Sequence, residues 1–198
     1  MGEVSIAGNL DRRAVVAELL RDRGDLLVVT GLGSPSYDVM AAGDHPLNYY
    51  LWAAMGSATT VGLGLAAAQP NRPVLVLTGD GEQLMGLGAL ATTALRRPAN
   101  LSIVVLDNGH FGETGMQPSH AGQGVELSRV AAACGFPHSQ AVTDMDAIPA
   151  LRARIHAREG LNFATVKIKA DNPPRALPPR DGVYVKNRFR QALGFSPN

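Results

Sequence analysis

The chain has 198 residues, 45% of them hydrophobic and 18% charged, enough for one domain with a substantial buried core plus a tail and short of the usual length for two. Eighteen basic against seventeen acidic residues leave a net charge of +1, which gives no electrostatic footprint for nucleic acid or an anionic membrane. No stretch reaches the roughly eighteen apolar residues of a membrane span, Glu3, Asp11 and Glu18 stand where a signal peptide would have its apolar core, and the single cysteine, Cys134, excludes an internal disulfide, so a cytoplasmic protein is expected.

Between Asp11 and Arg23, Ala14, Val15, Leu19 and Leu20 recur at helical spacing and Gly24 supplies a stop. Leu26–Thr30 reads as a buried strand running into Gly31-Leu32-Gly33. Ser34 can cap a second helix that tolerates Pro35 in its first turn and ends near Gly43. Leu47–Trp52 looks extended, and Met55–Ala68 reads as a helix of small residues that lets other backbones approach closely.

Val74–Thr78 is an apolar strand, Leu84–Leu95 a helix, Leu101–Leu106 a second apolar strand, Leu127–Cys134 and Ile148–His156 helices, and Phe163–Ile168 a strand. Cys134, in an alanine-rich run, reads as core packing. Apolar strands alternating with helices predict an α/β fold, a parallel sheet with helices on both faces. Residues 1–171 would form this domain. Residues 172–198, with Pro173, Pro174, Pro178 and Pro179, would form an extended arm ending in a short helix around Tyr184–Leu193.

Ligands of open parallel sheets lie beyond the carboxyl ends of the strands. That rule selects the loops Gly31–Ser34, Trp52–Gly56, Gly79–Gln83 and Asp107–Gln117. Asp80, in Gly79-Asp80-Gly81, and Asn108 end two strands joined by one helical crossover, so a carboxylate and an amide oxygen come together. Both are hard oxygen ligands suited to magnesium, which commonly keeps phosphates in its shell. Taken alone, Gly-Asp-Gly reads more simply as a strand-to-helix turn with Asp80 as a cap.

The whole stretch GDGEQLMGLGALATTALRRPANLSIVVLDNGHFGETGMQ resembles the fingerprint of thiamine-diphosphate-dependent enzymes, in which GDG is followed after a crossover by Asn. The resemblance implies Asp80, Asn108 and the backbone carbonyl of His110 as magnesium ligands, with Gly79, Gly81, Glu82, Gln83, Gly109 and Phe111 close to thiamine diphosphate. The side chain of His110 has no part in this role and is expected at the surface. Upstream, YLWAAMGSATTVGLGLA is similar to the segment that supports the bent cofactor in 2-oxo acid decarboxylases. Met55 then stands at the wedge between the two cofactor rings, and the Ala53 carbonyl accepts from the cofactor amino group. A methionine here would otherwise be core packing.

Over roughly residues 10–195 the resemblance is to sulfopyruvate and phosphonopyruvate decarboxylases, specifically their cofactor-binding portion or subunit. GETGMQPSH is similar to their loop G-x-T-G-x-Q-P-[ST]-H, and NRFRQALG to their C-terminal end. The chain departs from them at Ala53-Ala54-Met55-Gly56, usually Gly-Ser-Met-Gly, and at Glu82, commonly serine. Gln117 and His120 lie in the loop after the metal motif, where they could meet an anionic 2-oxo acid or remain solvated.

The same resemblance requires a glutamate at the aminopyrimidine ring, which these enzymes take from a pyrimidine-binding domain. With one sheet-sized segment here, that glutamate is expected from a separate partner subunit in a hetero-oligomer. A noncatalytic cofactor-binding or assembly subunit is the alternative. An unrelated nucleotide-binding domain, with Gly31-Leu32-Gly33 as phosphate loop, lacks the third glycine of the dinucleotide fingerprint.

Overall fold

The computed structural model describes residues 8–196. In chain order its main elements are α1 (Arg12–Leu19), β1 (Leu27–Thr30), α2 (Ser34–Ala41), β2 (Asn48–Tyr50), α3 (Ala58–Ala68), β3 (Val74–Gly79), α4 (Asp80–Met85), α5 (Ala89–Arg96) and β4 (Leu101–Asp107). There follow β5 (His110–Phe111), β6 (Gln117–Pro118), α6 (Leu127–Cys134), β7 (His138–Val142), α7 (Ile148–Ala157), β8 (Asn162–Lys167) and α8 (Gly182–Ala192).

Six strands form one sheet in the order β2-β1-β3-β4-β8-β7, and every pair in it is parallel. β1, β3 and β4 are buried along their whole length apart from Gly79, as expected of strands covered on both faces. Their side chains divide by the two-residue period of a strand. Val28, Leu75, Leu77, Val104 and Leu106 meet Val15, Leu19, Val39, Leu151 and Ile155 on one face. Val29, Val76, Ile103 and Val105 meet Ala58, Ala66, Leu90, Leu127 and Phe189 on the other.

One strand goes beyond the expected elements, and two expectations are corrected. β7 pairs with β8 at the edge of the sheet, where its residues His138, Ser139 and Gln140 lack the apolar run that marks a buried strand. The crossover from β3 to β4 is two helices, the first beginning at Asp80 itself, with an interruption at Gly86–Gly88. Met55 sits in a turn before α3, because Ala54 and Gly56 both take positive φ, 58° and 94°, a conformation no helix accommodates.

After β8, residues 172–180 have no regular structure and lead into α8, whose cap Asp181 accepts from the N–H groups of Val183 and Tyr184. Phe189 of α8 is buried and meets Tyr49 edge-on at 5.5 Å, which returns the chain to the β2 side. The arm crosses near the carboxyl ends of the strands. The Trp52 indole donates to the Pro179 carbonyl at 2.6 Å, and Arg13 donates to that of Pro174 at 2.6 Å.

Candidate active site

In the β3–β4 ladder Gly79 lies opposite Leu106, so Asp80 and Asn108 follow directly from neighbouring strand ends. Both line one cavity of about 160 Å³, together with Arg12, Leu32, Pro35, Met55 and Phe111. Gly79 takes an extended φ and ψ of −101° and 164° as the cap of α4. The N–H groups of Gly81, Glu82 and Gln83 therefore fall in a first helical turn, where they have no intrahelical partner.

Asp80 is 2% exposed and accepts a hydrogen bond on Oδ2 from the Ser119 hydroxyl. Burial pushes its carboxyl up to about 6; the Ser119 bond opposes the rise, the charge of Asp107 adds to it, and the N–H groups of Asp80 and Gly81 oppose it. A carboxylate held this way, with no cation beside it, has the character of a metal ligand. Asn108 is also buried, and its Oδ1 accepts from the His110 N–H at 3.0 Å, leaving that oxygen one lone pair. His110 and Pro118 form a non-hydrogen-bonded antiparallel pair, flanked by the bond from the Ser119 N–H to the Gly109 carbonyl at 2.8 Å, so the His110 carbonyl points away from β6. These three oxygens are the donor set a hard cation takes, so the residues fit magnesium.

Asp107 fixes the turn they sit on. Its Oδ1 accepts from the Gly109 N–H at 2.9 Å, and its Oδ2 faces the Lys167 ammonium at 2.5 Å from the adjacent strand β8. Asp107 is wholly buried and Lys167 12% exposed. Such a pair does most for the structure by leaving neither charge alone. Sequence reasoning passed over both residues.

Phe111 lies over Gly81. A methyl group at Gly81 would meet two ring carbons at 2.6 Å, so only glycine permits this contact between the hairpin β5–β6 and α4. The terminal carbon of Met55 comes within 3.8 Å of the same position, and Met55 keeps 37% of its surface exposed. It projects over the floor of the cavity with one flank open, in place of the core packing a methionine usually has. The Ala54 carbonyl is taken by Ser57, from both N–H and hydroxyl. Among the described residues, no hydrogen bond engages the Ala53 carbonyl.

Other expected residues occupy different positions. The Glu82 side chain is engaged by protein groups at the ends of β1 and β3 and at the start of α3. Its Oε2 accepts from Thr78 Oγ1 at 2.6 Å and the Leu32 N–H at 3.1 Å, and its Oε1 from the Ala58 N–H at 3.1 Å. Gln83 is buried against α3, accepting from Thr59 Oγ1 at 2.7 Å. His110 is half-buried rather than on the surface, with Nδ1 2.8 Å from the Asn108 carbonyl oxygen. Gln117 folds back on Thr114 through two hydrogen bonds and stays exposed. His120 is exposed and, with Leu84, Met85, Leu87 and Val125, borders a shallow depression on the far side of Gly81 and Phe111.

This arrangement places three hard oxygen donors, the start of α4 and the half-open Met55 side chain at one end of a parallel sheet. The family model described as thiamine pyrophosphate enzyme, C-terminal TPP binding domain, matches residues 33–166, and the chain belongs to that family. Within it the chain is 36% identical to the sulfopyruvate decarboxylase subunit beta of Methanothermobacter thermautotrophicus, with 91% of this chain and 94% of that one covered. It is 41% identical to the phosphonopyruvate decarboxylase of Streptomyces viridochromogenes over 92% of its own length and 45% of the enzyme's. The chain thus spans about half the length of that enzyme, as it does of the Methanosarcina acetivorans sulfopyruvate decarboxylase, 47% covered at 32% identity. The benzoylformate decarboxylase of Polynucleobacter necessarius has the same fold, with a TM-score of 0.67 at 20% identity over 88% of this chain and 36% of that one.

Proposed function

We propose that the chain is the diphosphate- and magnesium-binding subunit of a cytoplasmic thiamine-diphosphate-dependent 2-oxo acid decarboxylase, completed by a separate pyrimidine-binding subunit that supplies the activating glutamate. The observation that carries this reading is the convergence of Asp80 and Asn108 in one cavity beside the first turn of α4. Near full-length similarity to a beta subunit supports the division between two chains. The names of the relatives make sulfopyruvate, phosphonopyruvate or a similar anionic 2-oxo acid the first substrates to test.

When bound, the cofactor supplies the electron sink into which the carbon–carbon bond pair of the 2-oxo acid is released. The residues of this chain hold and shape it. Asp80, Asn108 and the His110 carbonyl hold magnesium, and the metal with the first-turn N–H groups of α4 neutralises the diphosphate. Gly79, Gly81, Gly109 and Phe111 form the surface against it. Met55 supports the bend between the cofactor rings, and the unpaired Ala53 carbonyl accepts from the cofactor amino group. Exposed Met85 and Val125, at 65% and 37%, line the depression next to Phe111 and give a partner subunit apolar surface to cover. His120 borders that depression and so has the better placement for a substrate contact. Gln117 would first have to release Thr114.

Titration of the chain assembled with its partner subunit, using thiamine diphosphate with and without magnesium, tests the metal site. Binding should require magnesium and be lost in Asp80→Ala without unfolding; equal affinity in both proteins would remove the assignment. Mixing the chain with a candidate pyrimidine-binding subunit and measuring carbon dioxide release from sulfopyruvate, phosphonopyruvate and simpler 2-oxo acids tests the activity. Full turnover by the chain alone would refute the two-subunit reading. An assembled, cofactor-loaded complex that decarboxylates none of these acids would make the chain an assembly subunit instead.

A further inference from the structure

Arg12 opens α1 and is only 3% exposed, yet it lines the same cavity as Gly79, Asp80 and Asn108. Its Nε lies 2.6 Å from Oδ2 of Asp38, itself 2% exposed, and the other oxygen of Asp38 takes Nε of Arg13 at 2.9 Å. One carboxylate thus serves two guanidinium groups, that of Arg13 being 31% exposed and that of Arg12 buried at the strand ends. Asp38 balances the charge of Arg12 but occupies only one of its nitrogens, and buried donors left without an acceptor are costly. Among the described residues no hydrogen bond engages the terminal nitrogens of Arg12.

None of the carboxylates lining the cavity hydrogen-bonds the terminal nitrogens of Arg12. Glu82 is satisfied by Thr78 and two backbone N–H groups, Glu113 pairs with Arg175 at 2.9 Å, and Asp80 is held by Ser119. His110 apart, Arg12 is the one basic side chain lining the cavity among the described residues. A diphosphate ester carries more negative charge than one divalent cation cancels, and a guanidinium fork offers paired donors suited to phosphoryl oxygens.

We propose that Arg12 is a diphosphate-binding residue, clamped through Nε by Asp38 so that its terminal N–H groups meet the phosphoryl oxygens left uncompensated by the metal. The assignment rests on the cofactor reading above. It gives Asp38 a defined task, because a guanidinium anchored by one edge loses less freedom when the other edge binds. A clamp that merely ties α1 to α2 would use the same ion pair without the cavity-facing edge.

The test is calorimetric titration of the chain assembled with its pyrimidine-binding subunit, using thiamine diphosphate and, separately, thiamine, at saturating magnesium, with melting temperatures measured before ligand is added. Arg12→Gln should weaken thiamine diphosphate about ten- to a hundredfold, the range for a lost charge-assisted hydrogen bond, and leave thiamine within about twofold. Arg12→Lys keeps the charge but has no fork with which to serve Asp38 and a phosphate together, so it should still lose roughly fivefold or more. If Arg12→Gln does not fold, Arg12→Lys decides. Unchanged thiamine diphosphate affinity, or an equal loss for both ligands accompanying a lowered melting temperature, would overturn the proposal and leave a structural clamp. If the assembled wild type takes up no thiamine diphosphate with magnesium, the cofactor reading falls and the arginine assignment with it.

Discussion

The hydroxyl of Ser119 donates to the carboxylate of Asp80 across the sequence from the loop after β6 to the start of α4. Ser119 is fully buried, its N–H donates to the Gly109 carbonyl at 2.8 Å, and its Oγ accepts from the Gly122 N–H at 3.3 Å. One side chain thus orients the proposed metal ligand and fixes the loop that carries Asn108 and His110. Ser119→Ala should weaken magnesium-dependent cofactor binding by about ten- to a hundredfold, the range found when a group supporting a metal ligand is removed. Ser119→Thr keeps the hydroxyl and should recover most of it. Magnesium titration monitored by calorimetry checks both, and equal affinity in wild type and Ser119→Ala would show that Asp80 needs no such support.

The pH dependence of stability follows from Asp80. Its folded carboxyl sits at about 6, above the ordinary 3.8, so between those values the folded state binds more protons than the unfolded one. Stability from this group is complete below the lower value and is lost as pH rises through the upper. In the absence of metal, Asp80→Asn should therefore gain on the wild type as pH increases from about 4 to 6. Magnesium binds the ionised form and should remove that advantage. A difference in melting temperature that stays constant across this range would contradict the argument.

Glu82 holds three segments together, because its carboxylate reaches Leu32 after β1, Ala58 at the start of α3 and Thr78 in β3. Gly31 belongs to the same arrangement: a methyl there would lie 1.8 Å from Glu82 Oε2. Glu82→Ala leaves the buried Ala58 N–H and the half-buried Leu32 N–H without an acceptor, the buried one costing roughly 1–3 kcal/mol. Denaturant unfolding should show a loss of about 2 kcal/mol or more. A loss below about 0.5 kcal/mol would mean that water replaces the carboxylate at no cost.

How far the sequence could be read depended on whether a residue's neighbours in the chain are also its neighbours in space. β1, β3, β4 and most of β8 were legible because burial on both faces makes them continuous apolar runs. β7 was not, since an edge strand with Gln140 and Ala141 exposed has no such run. Asp80 and Asn108 were legible through their spacing. The side-chain direction of Glu82 was not, because its partners lie in three separate loops. Ser119 left one signal, the serine-or-threonine position of the G-x-T-G-x-Q-P-[ST]-H loop, where only the hydroxyl is common to both residues. The turn at Met55 was misread as helix because Ala54, with φ of 58°, is an ordinary helix former that gives no warning of a left-handed conformation. Arg12 was hidden because one arginine in a surface-looking helix start does not announce that Asp38, in α2, will bury it.

Met55 supplies the last prediction, and its exposure shapes it. The side chain leaves a turn fixed by Ala54 and Gly56 and ends over Gly81, with 37% of its surface open. The turn is held from below, since a methyl on Gly86 would fall 2.0 Å from the Gly56 carbonyl oxygen, which keeps the end of α4 against it. Because Met55 is only partly covered, Met55→Ala should cost no more than about 1 kcal/mol of stability, well short of the roughly 2–5 kcal/mol of a core methionine. The role proposed for it, support of the bent cofactor, lies in positioning the reacting rings, where small displacements cost on the order of a hundredfold in rate. In the complete enzyme, Met55→Ala should therefore lose turnover by at least tenfold more than it loses affinity for thiamine diphosphate, whereas Met55→Leu, which keeps most of the bulk, should stay within about tenfold of wild type. Carbon dioxide release, cofactor titration and thermal melts on the same preparations separate the three quantities. A folded Met55→Ala enzyme with undiminished turnover would return this residue to ordinary surface packing, and parallel losses of turnover and affinity would make it a binding contact without a role in shaping the cofactor.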